Sequence, residues 1–332
     1  MKTLITGGNG FIGSAMVRNL VARGEKVRIT IRHKSNTTNL DDLEVEKVVA
    51  DIRDGEAVRK ALRGCKILYH TAALYKTWLK DEGELDQVNV EGTRTVLGEA
   101  LKAGVEKVVF TSSIAALGVT KDGSPSDEKV SFNLWHTKLP YEISKYNAEQ
   151  VAWEFSKKGL PLVIVRPSMV LGERDIYPTP SGKVILDVLN QKYLSYFEGG
   201  INVVDVKDVA IGHILAMEKG KRGESYNLGS NQNNISLKEL FSLIAECGGV
   251  SPPPFKVAYP IALPFSYLLL FIADYITHKP PLFTPGTLQV LHLFKKMDSS
   301  KAIKELGLPQ TPLRETIKNT IAWYRENGYL RK

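Results

Sequence analysis

The chain has 332 residues, 43% of them hydrophobic, enough for one large α/β unit or a nucleotide-binding domain with a smaller partner. Its two cysteines, Cys65 and Cys247, are far apart and fit no metal or redox spacing, so no metal site is expected and both read as reduced thiols. The formal charge of +8 comes from scattered Lys and Arg, which argues against a nucleic-acid partner and for attraction of an anionic cofactor or substrate.

In chain order, Thr3-Leu4-Ile5-Thr6 is an apolar run that reads as a first strand. It starts directly after Met1-Lys2, so no signal peptide is expected and the location reads as cytoplasmic. Short β-branched runs then alternate with amphipathic stretches. Strands are expected at 2–6, 27–31, 47–50, 67–69, 107–110 and 162–165, and helices at 11–22, 56–62, 87–102 and 141–157. Alternation of this kind predicts right-handed crossovers and an α/β fold, a Rossmann-type doubly wound parallel sheet.

After Arg166-Pro167 the pattern becomes irregular. A strand at 202–206, a helix at 209–217 and a strand at 225–228 read as a return to the main domain. The expected division is an NAD(P)-binding domain over 1–166 plus 201–228, and a smaller, mostly helical substrate domain over 167–200 plus 229–332. The apolar stretch 259–277 contains Pro260, Pro264 and Asp274, which makes it a poor spanning helix. It reads as buried or pocket-lining, with peripheral membrane contact left open.

The run Thr6-Gly7-Gly8-Asn9-Gly10-Phe11-Ile12-Gly13 joins the first strand to the first helix. Gly7 permits the tight turn, Gly10 lets backbone approach a pyrophosphate, and Gly13 lets helix and strand pack closely. Phe11 and Ile12 open a helix whose free N–H groups and positive dipole end suit phosphates. The second strand ends in Arg32-His33-Lys34 with no carboxylate until Asp41. Arg32 offers a bidentate fork to a ribose 2′-phosphate, so NADP(H) is preferred and NAD(H) remains an alternative. Asp51-Ile52, after the third strand, reads either as the adenine edge or as a helix cap.

Tyr141 and Lys145 stand one helical turn apart after Pro140, on one helix face. An ammonium beside a phenol favours the phenolate and lowers its pKa, which makes the pair a candidate acid–base centre. Ser112-Ser113 end the fifth strand, where parallel sheets bind ligands, and a serine there can hydrogen-bond a substrate oxygen.

With His70-Thr71-Ala72-Ala73, Asn89-Val90-Glu91-Gly92-Thr93, Arg166-Pro167-Ser168 and Asp298-Ser299-Ser300-Lys301-Ala302, these motifs span nearly the whole chain. The chain resembles the extended or atypical short-chain dehydrogenases/reductases, the NAD-dependent epimerase/dehydratase family. Within them it resembles dihydroflavonol-4-reductase-like proteins and, in 172–182 and 202–210, hopanoid-associated sugar epimerases. The resemblance implies that Ser113, five residues before Gly118, polarises the substrate oxygen, with Tyr141 as proton donor or acceptor and Lys145 as its partner. It implies that the Ala72 backbone flanks the cofactor and that Pro167 and Ser168 border the nicotinamide. Asn89 would fix the active-site backbone or cap a helix. Gly118 stands where dihydroflavonol reductases carry an Asn, which argues against a flavonoid substrate. Relatives often pair through helices like 87–102 and 141–157, so a homodimer is left open.

Tyr75, Trp78, Phe132 and Trp135, with Asn133 as a polar contact, read either as lining a hydrophobic substrate cavity or as core. Arg174 and Lys183 are candidate anchors for a substrate pyrophosphate, without a paired-Arg arrangement. The expected reaction is reversible hydride transfer between NADP(H) and a ketone, aldehyde or secondary alcohol. The alternatives are a nucleotide-sugar epimerase or dehydratase with tightly bound NAD, and a non-catalytic NAD(P)-binding sensor or assembly subunit.

Overall fold

The Val/Ile-rich runs of the first half become strands that are buried on both faces except at the sheet edge over Glu46–Val49, as a sheet covered by helices on either side requires. The computed structural model describes residues 2–330. The first six strands are β1 (Lys2–Thr6), β2 (Lys26–Ile31), β3 (Glu46–Val49), β4 (Ile67–His70), β5 (Lys107–Thr111) and β6 (Leu162–Pro167). They alternate with α1 (Phe11–Ala22), α2 (Gly55–Leu62), the single turn α3 (Gly83–Leu85), α4 (Gly92–Lys102) and α5 (Pro140–Lys157). The helix expected over 87–102 begins as a π-helical turn, Asp86–Glu91, that passes into α4.

The later half adds β7 (Met169–Leu171), β8 (Ser195–Phe197), β9 (Gly200–Asp205), β10 (Ser225–Leu228), β11 (Asn234–Ser236) and β12 (Phe255–Val257). Its helices are α6 (Pro180–Leu189), α7 (Val206–Lys219), α8 (Leu237–Gly248), α9 (Tyr259–Ile272), α10 (Pro285–His292) and α11 (Leu313–Glu326). Seven parallel strands form the main sheet in the order β10-β6-β5-β4-β1-β2-β3. From β1 the chain builds outward to β3, then returns to start the other half at β4. That reversal between β1 and β4 opens a crevice at the carboxyl ends of the strands.

One face of the sheet packs on α1 and α7, the other on α2, α4 and α5. A third core joins α6, α8 and α11. The strand read at 202–206 as a return to the main domain departs from that expectation. Observed as β9, it pairs with β7 and antiparallel β11 in a separate three-stranded sheet. Only the following helix α7 lies on the main sheet, packed against α1.

The stretch 259–277 also departs from the expectation of a buried or pocket-lining helix. It forms α9 and a π-helical turn, Ala273–Thr277, and its large side chains point outward. Small residues explain this: Ala262, Ser266 and Ala273 are buried and lie within about 40° of one another around the helix axis. The helix therefore seats on a narrow small-residue stripe, and α10 takes the place facing the cavity.

A buried ion pair fixes α5 against the sheet. Glu149 of α5 accepts from Arg166 Nη2 at 2.5 Å and Nε at 2.9 Å, and from Ser112 Oγ at 2.5 Å. Both side chains are under 8% exposed. Removing one partner strands the other charge in the interior. Glu149→Leu is expected to cost about 3–5 kcal/mol in urea denaturation. The double variant Glu149→Leu/Arg166→Met should recover much of that loss.

Candidate active site

The glycine turn leaves β1 at the crevice. Gly7 has a φ of +72°, and a Cβ there would lie 2.8 Å from the Ala72 backbone. A Cβ on Gly13 would lie 2.2 Å from the Gly7 carbonyl oxygen, so strand, turn and helix meet at backbone distance. Beneath the turn, Thr6 Oγ1 meets His70 Nδ1 at 2.7 Å, and His70 Nε2 meets Thr93 Oγ1 at 3.1 Å. Burial pushes His70 down to about 3, so it stays neutral and serves as a strut. Thr71 Oγ1 donates to the Thr6 carbonyl at 2.6 Å, holding the segment that leads to Ala72 against β1.

Asn89 is no helix cap. Its Oδ1 accepts from Leu74 N at 2.7 Å, while its Nδ2 donates to the Leu74 carbonyl and to Ser144 Oγ, each at 3.0 Å. It ties the loop after β4 to the catalytic-candidate helix α5. Asp51 is not a cap either: Asp54 caps α2, and Asp51 pairs with Arg53 at 2.7 Å, which lowers its carboxyl below the usual range.

A cavity of about 580 Å³ runs from the glycine turn to the ends of β5 and β6. Gly7, Gly10, Phe11, Ile12 and Gly13 line it, as do Arg32, Asp51, Ile52 and Ala72. Ser113, Tyr141, Lys145, Pro167, Ser168 and Tyr75 line the same space. Arg53 and Ser35 stand beside Arg32 at the ribose end, two polar groups not anticipated from the sequence. Lys34 takes a left-handed backbone conformation at φ 64° and is not part of the lining.

The remaining substrate candidates fall elsewhere. Trp78 lies outside the cavity, its Nε1 donating to Asp274 Oδ1 at 2.7 Å. Asn133 clamps Val119, accepting from its N at 3.1 Å and donating to its carbonyl at 2.8 Å. Trp135 packs edge-on against Phe132 and Tyr146. Arg174 and Lys183 also lie outside the lining. In their place the later half contributes Ser181, Thr287, Val290, Leu291 and Lys295.

Lys295 was not singled out from the sequence, where it stands in a Lys-Lys pair beside Asp298 and resembles surface charge. It is 2% exposed and reaches Glu142 Oε1 and the Ala115 carbonyl, each at 3.3 Å. Burial pushes Glu142 up and Lys295 down, and the attraction between them opposes both shifts. The pair joins the later half of the chain to the first turn of α5.

The two strand-end serines have different tasks. Both line the cavity, but the Ser112 hydroxyl is buried and donates to Glu149, whereas the Ser113 hydroxyl accepts from Ala115 N at 3.1 Å and lies near enough to Tyr141 to favour its ionised form. The Tyr75 ring lies 4.6 Å from the Tyr141 ring. The expected lowering of the phenol by Lys145 is not met. Burial raises Tyr141 well above the usual phenol range, Tyr75 adds to this, and only the Ser113 hydroxyl opposes it. Lys145 Nζ instead donates to the Thr111 carbonyl at 2.9 Å and lies 5.5 Å from the Phe110 ring centre. Burial pulls Lys145 down to about 8, with Glu149 opposing.

The donor set fits a dinucleotide. A bare glycine turn at a helix N-terminus suits a pyrophosphate, Asp51 and Arg32 line the same cavity, and the buried Ser168 hydroxyl lines it with no hydrogen-bond partner. The model of the NAD dependent epimerase/dehydratase family matches residues 3–229, and the chain belongs to this family. It is an NAD(P)-dependent enzyme of the extended short-chain dehydrogenase/reductase type, with reductases among its relatives.

A putative dihydroflavonol 4-reductase of Synechocystis is 37% identical over 98% of this chain and 95% of its own length. Sterol demethylase protein B of Methylococcus capsulatus is 35% identical over 99% of this chain and all of its own. The crystal structure of gox2253 superposes with a TM-score of 0.88 at 40% identity, covering 99% of both chains.

Lys145 supplies a test of the site's electrostatics. Its folded pKa of about 8 lies below the 10.5 of a free lysine, so the unfolded chain binds more protons between those values. Stability contributed at this position therefore rises as pH increases from 8 to 10.5, by up to about 3 kcal/mol. Urea titrations at the two ends of the window should show this rise, and Lys145→Met should remove it.

Proposed function

We propose that the chain reduces a ketone or aldehyde with NADPH, or runs the reverse oxidation of a secondary alcohol, through Ser113, Tyr141 and Lys145. The observation that carries this reading is the convergence of these three side chains with the glycine turn on one cavity. When bound, the nicotinamide supplies or accepts the hydride. Ser113 holds the substrate oxygen by a hydrogen bond. Tyr141 gives its phenolic proton to that oxygen as negative charge develops on it. A phenol raised by burial is protonated at neutral pH, which suits the reductive direction. Lys145 has donors beyond the one given to Thr111, and these are directed here to the ribose hydroxyls. Pro167 and Ser168 border the nicotinamide, and Ala72 backs it. Tyr75 is the substrate contact that remains of the five aromatic and polar candidates.

The cavity beyond Tyr141 is lined by Leu139, Val184, Val290 and Leu291, which favours a largely apolar carbonyl compound. The positions of Arg174 and Lys183 give no support to a substrate pyrophosphate clamp, so the nucleotide-sugar reading is not carried forward.

Two substitutions test the assignment. Tyr141→Phe should lower NADPH-dependent turnover of a carbonyl panel by at least about 100-fold, the span of a lost general acid, while nucleotide affinity by fluorescence stays unchanged. Equal loss of nucleotide binding would make Tyr141 structural. Arg32→Ala should weaken NADPH by at least about tenfold, a charge-assisted hydrogen bond being worth about 1.5–3 kcal/mol, and leave NADH nearly unaffected. Unchanged selectivity would remove the preference for NADPH.

A further inference from the structure

Helix α9 and the turn after it carry an unusual surface. Ile261, Phe265, Leu268, Phe271, Tyr275 and Ile276 are each more than half exposed. Tyr259–Thr277 is the one helical stretch among the described residues long and apolar enough to cross a bilayer. It is not placed to do so. Its small-residue stripe is buried against the protein, Tyr259 stacks on His292 with ring centres 3.8 Å apart, and Asp274 accepts from Trp78. Both ends and one whole side are tied down, so the apolar side lies flat on the molecule. Single exposed apolar residues are ordinary, but a contiguous set of this size on one helix marks an interaction surface.

The charges around this face distinguish its occupant. Between positions 251 and 297 Lys256 pairs with Glu198 and Lys295 with Glu142, which leaves Lys279 and Lys296 against one carboxylate, Asp274, hydrogen-bonded by Trp78. His278 and Lys279 follow the helix directly and are exposed. On the loop carrying Trp78, Lys76 and Lys80 balance Asp81 and Glu82, and partial burial pushes Glu82 up. The stretch therefore keeps a small net positive charge, carried beside the helix by Lys279. Tyr267 and Tyr275, exposed at 56% and 72%, put amphipathic rings where an apolar layer meets water.

We propose that this face docks on an anionic phospholipid bilayer, with α9 lying in the interfacial plane and the chain bound peripherally. An apolar helix face with exposed tyrosines and a flanking lysine suits the interfacial plane of a bilayer. The neighbouring α10 packs on α9 and turns Thr287, Val290 and Leu291 to the cavity, so docking brings the lipid beside the cavity wall. On the catalytic reading given above, the substrate class is then a lipid-soluble carbonyl compound or alcohol that partitions into the membrane.

The test is co-sedimentation of the full chain with phosphatidylcholine vesicles containing phosphatidylglycerol, and with phosphatidylcholine alone. The wild type should pellet with the mixed vesicles, less with the neutral ones, and less at high salt. Phe265→Ser/Leu268→Ser/Phe271→Ser removes exposed apolar groups only, so its thermal melt should match the wild type. Its apparent Kd for the mixed vesicles should rise by at least about tenfold, since three large apolar side chains no longer leave water on docking. Tyr141→Phe should pellet as the wild type does, which separates docking from the catalytic assignment. Wild type left in the supernatant with both vesicles would overturn the proposal. So would a dimer in sedimentation velocity that the triple variant abolishes without any vesicle binding, since the face would then belong to a second copy.

Discussion

The buried pair between Glu149 and Arg166 holds together the parts of the site that come from different elements. Arg166 lies at the end of β6 immediately before Pro167 and Ser168, Ser112 follows β5 immediately before Ser113, and Glu149 stands one turn beyond Lys145 on α5. A single carboxylate thus sets the distance between two strand ends and the helix that carries Tyr141. Its bidentate geometry matters because a guanidinium fork locks orientation as well as distance. Desolvating both charges is costly, and the arrangement is tolerated because every carboxylate lone pair has a directed donor. Asn89 does the corresponding work on the other side, joining the loop after β4 to Ser144.

The same economy governs the protonation states. Lys145 is buried and Tyr141 half-buried, and desolvation drives each toward its neutral form. A neutral phenol is a proton donor, and a lysine near 8 holds its charge at neutral pH with little to spare. Glu142 and Lys295 place a second pair of opposite charges on the wall of the same cavity, in an otherwise apolar stretch. Segments far apart in the chain therefore share one electrostatic environment.

Much of this was legible in the residues. The strand runs are β-branched and short, the helices amphipathic, and the glycine spacing can be met only by a turn that enters a helix. Strand ends moved by one to two residues at several places, because pairing partners and not propensity decide where a ladder stops. Tyr141 and Lys145 were readable because an i, i+4 relation is local. Trp78, Asn133 and Trp135 misled because aromatic and amide side chains look alike in sequence whether they line a cavity or clamp a loop. Lys295 was missed for the opposite reason, its burial depending on segments more than 150 residues away.

The sequence alone determined the class of fold, the glycine turn between β1 and α1 and the residue types of the candidate centre, since each rests on spacing within one or two turns. The tertiary structure decided which serine is spent on Glu149, where β9 pairs, and that the apolar stretch 259–277 lies outside. Those outcomes depend on competition between distant surfaces for the same partners. Ser112 went to Glu149, the small side of α9 went to the protein, and the large side was left to solvent because α10 already occupied the cavity wall. No local pattern encodes which of two apolar helices reaches a cavity first.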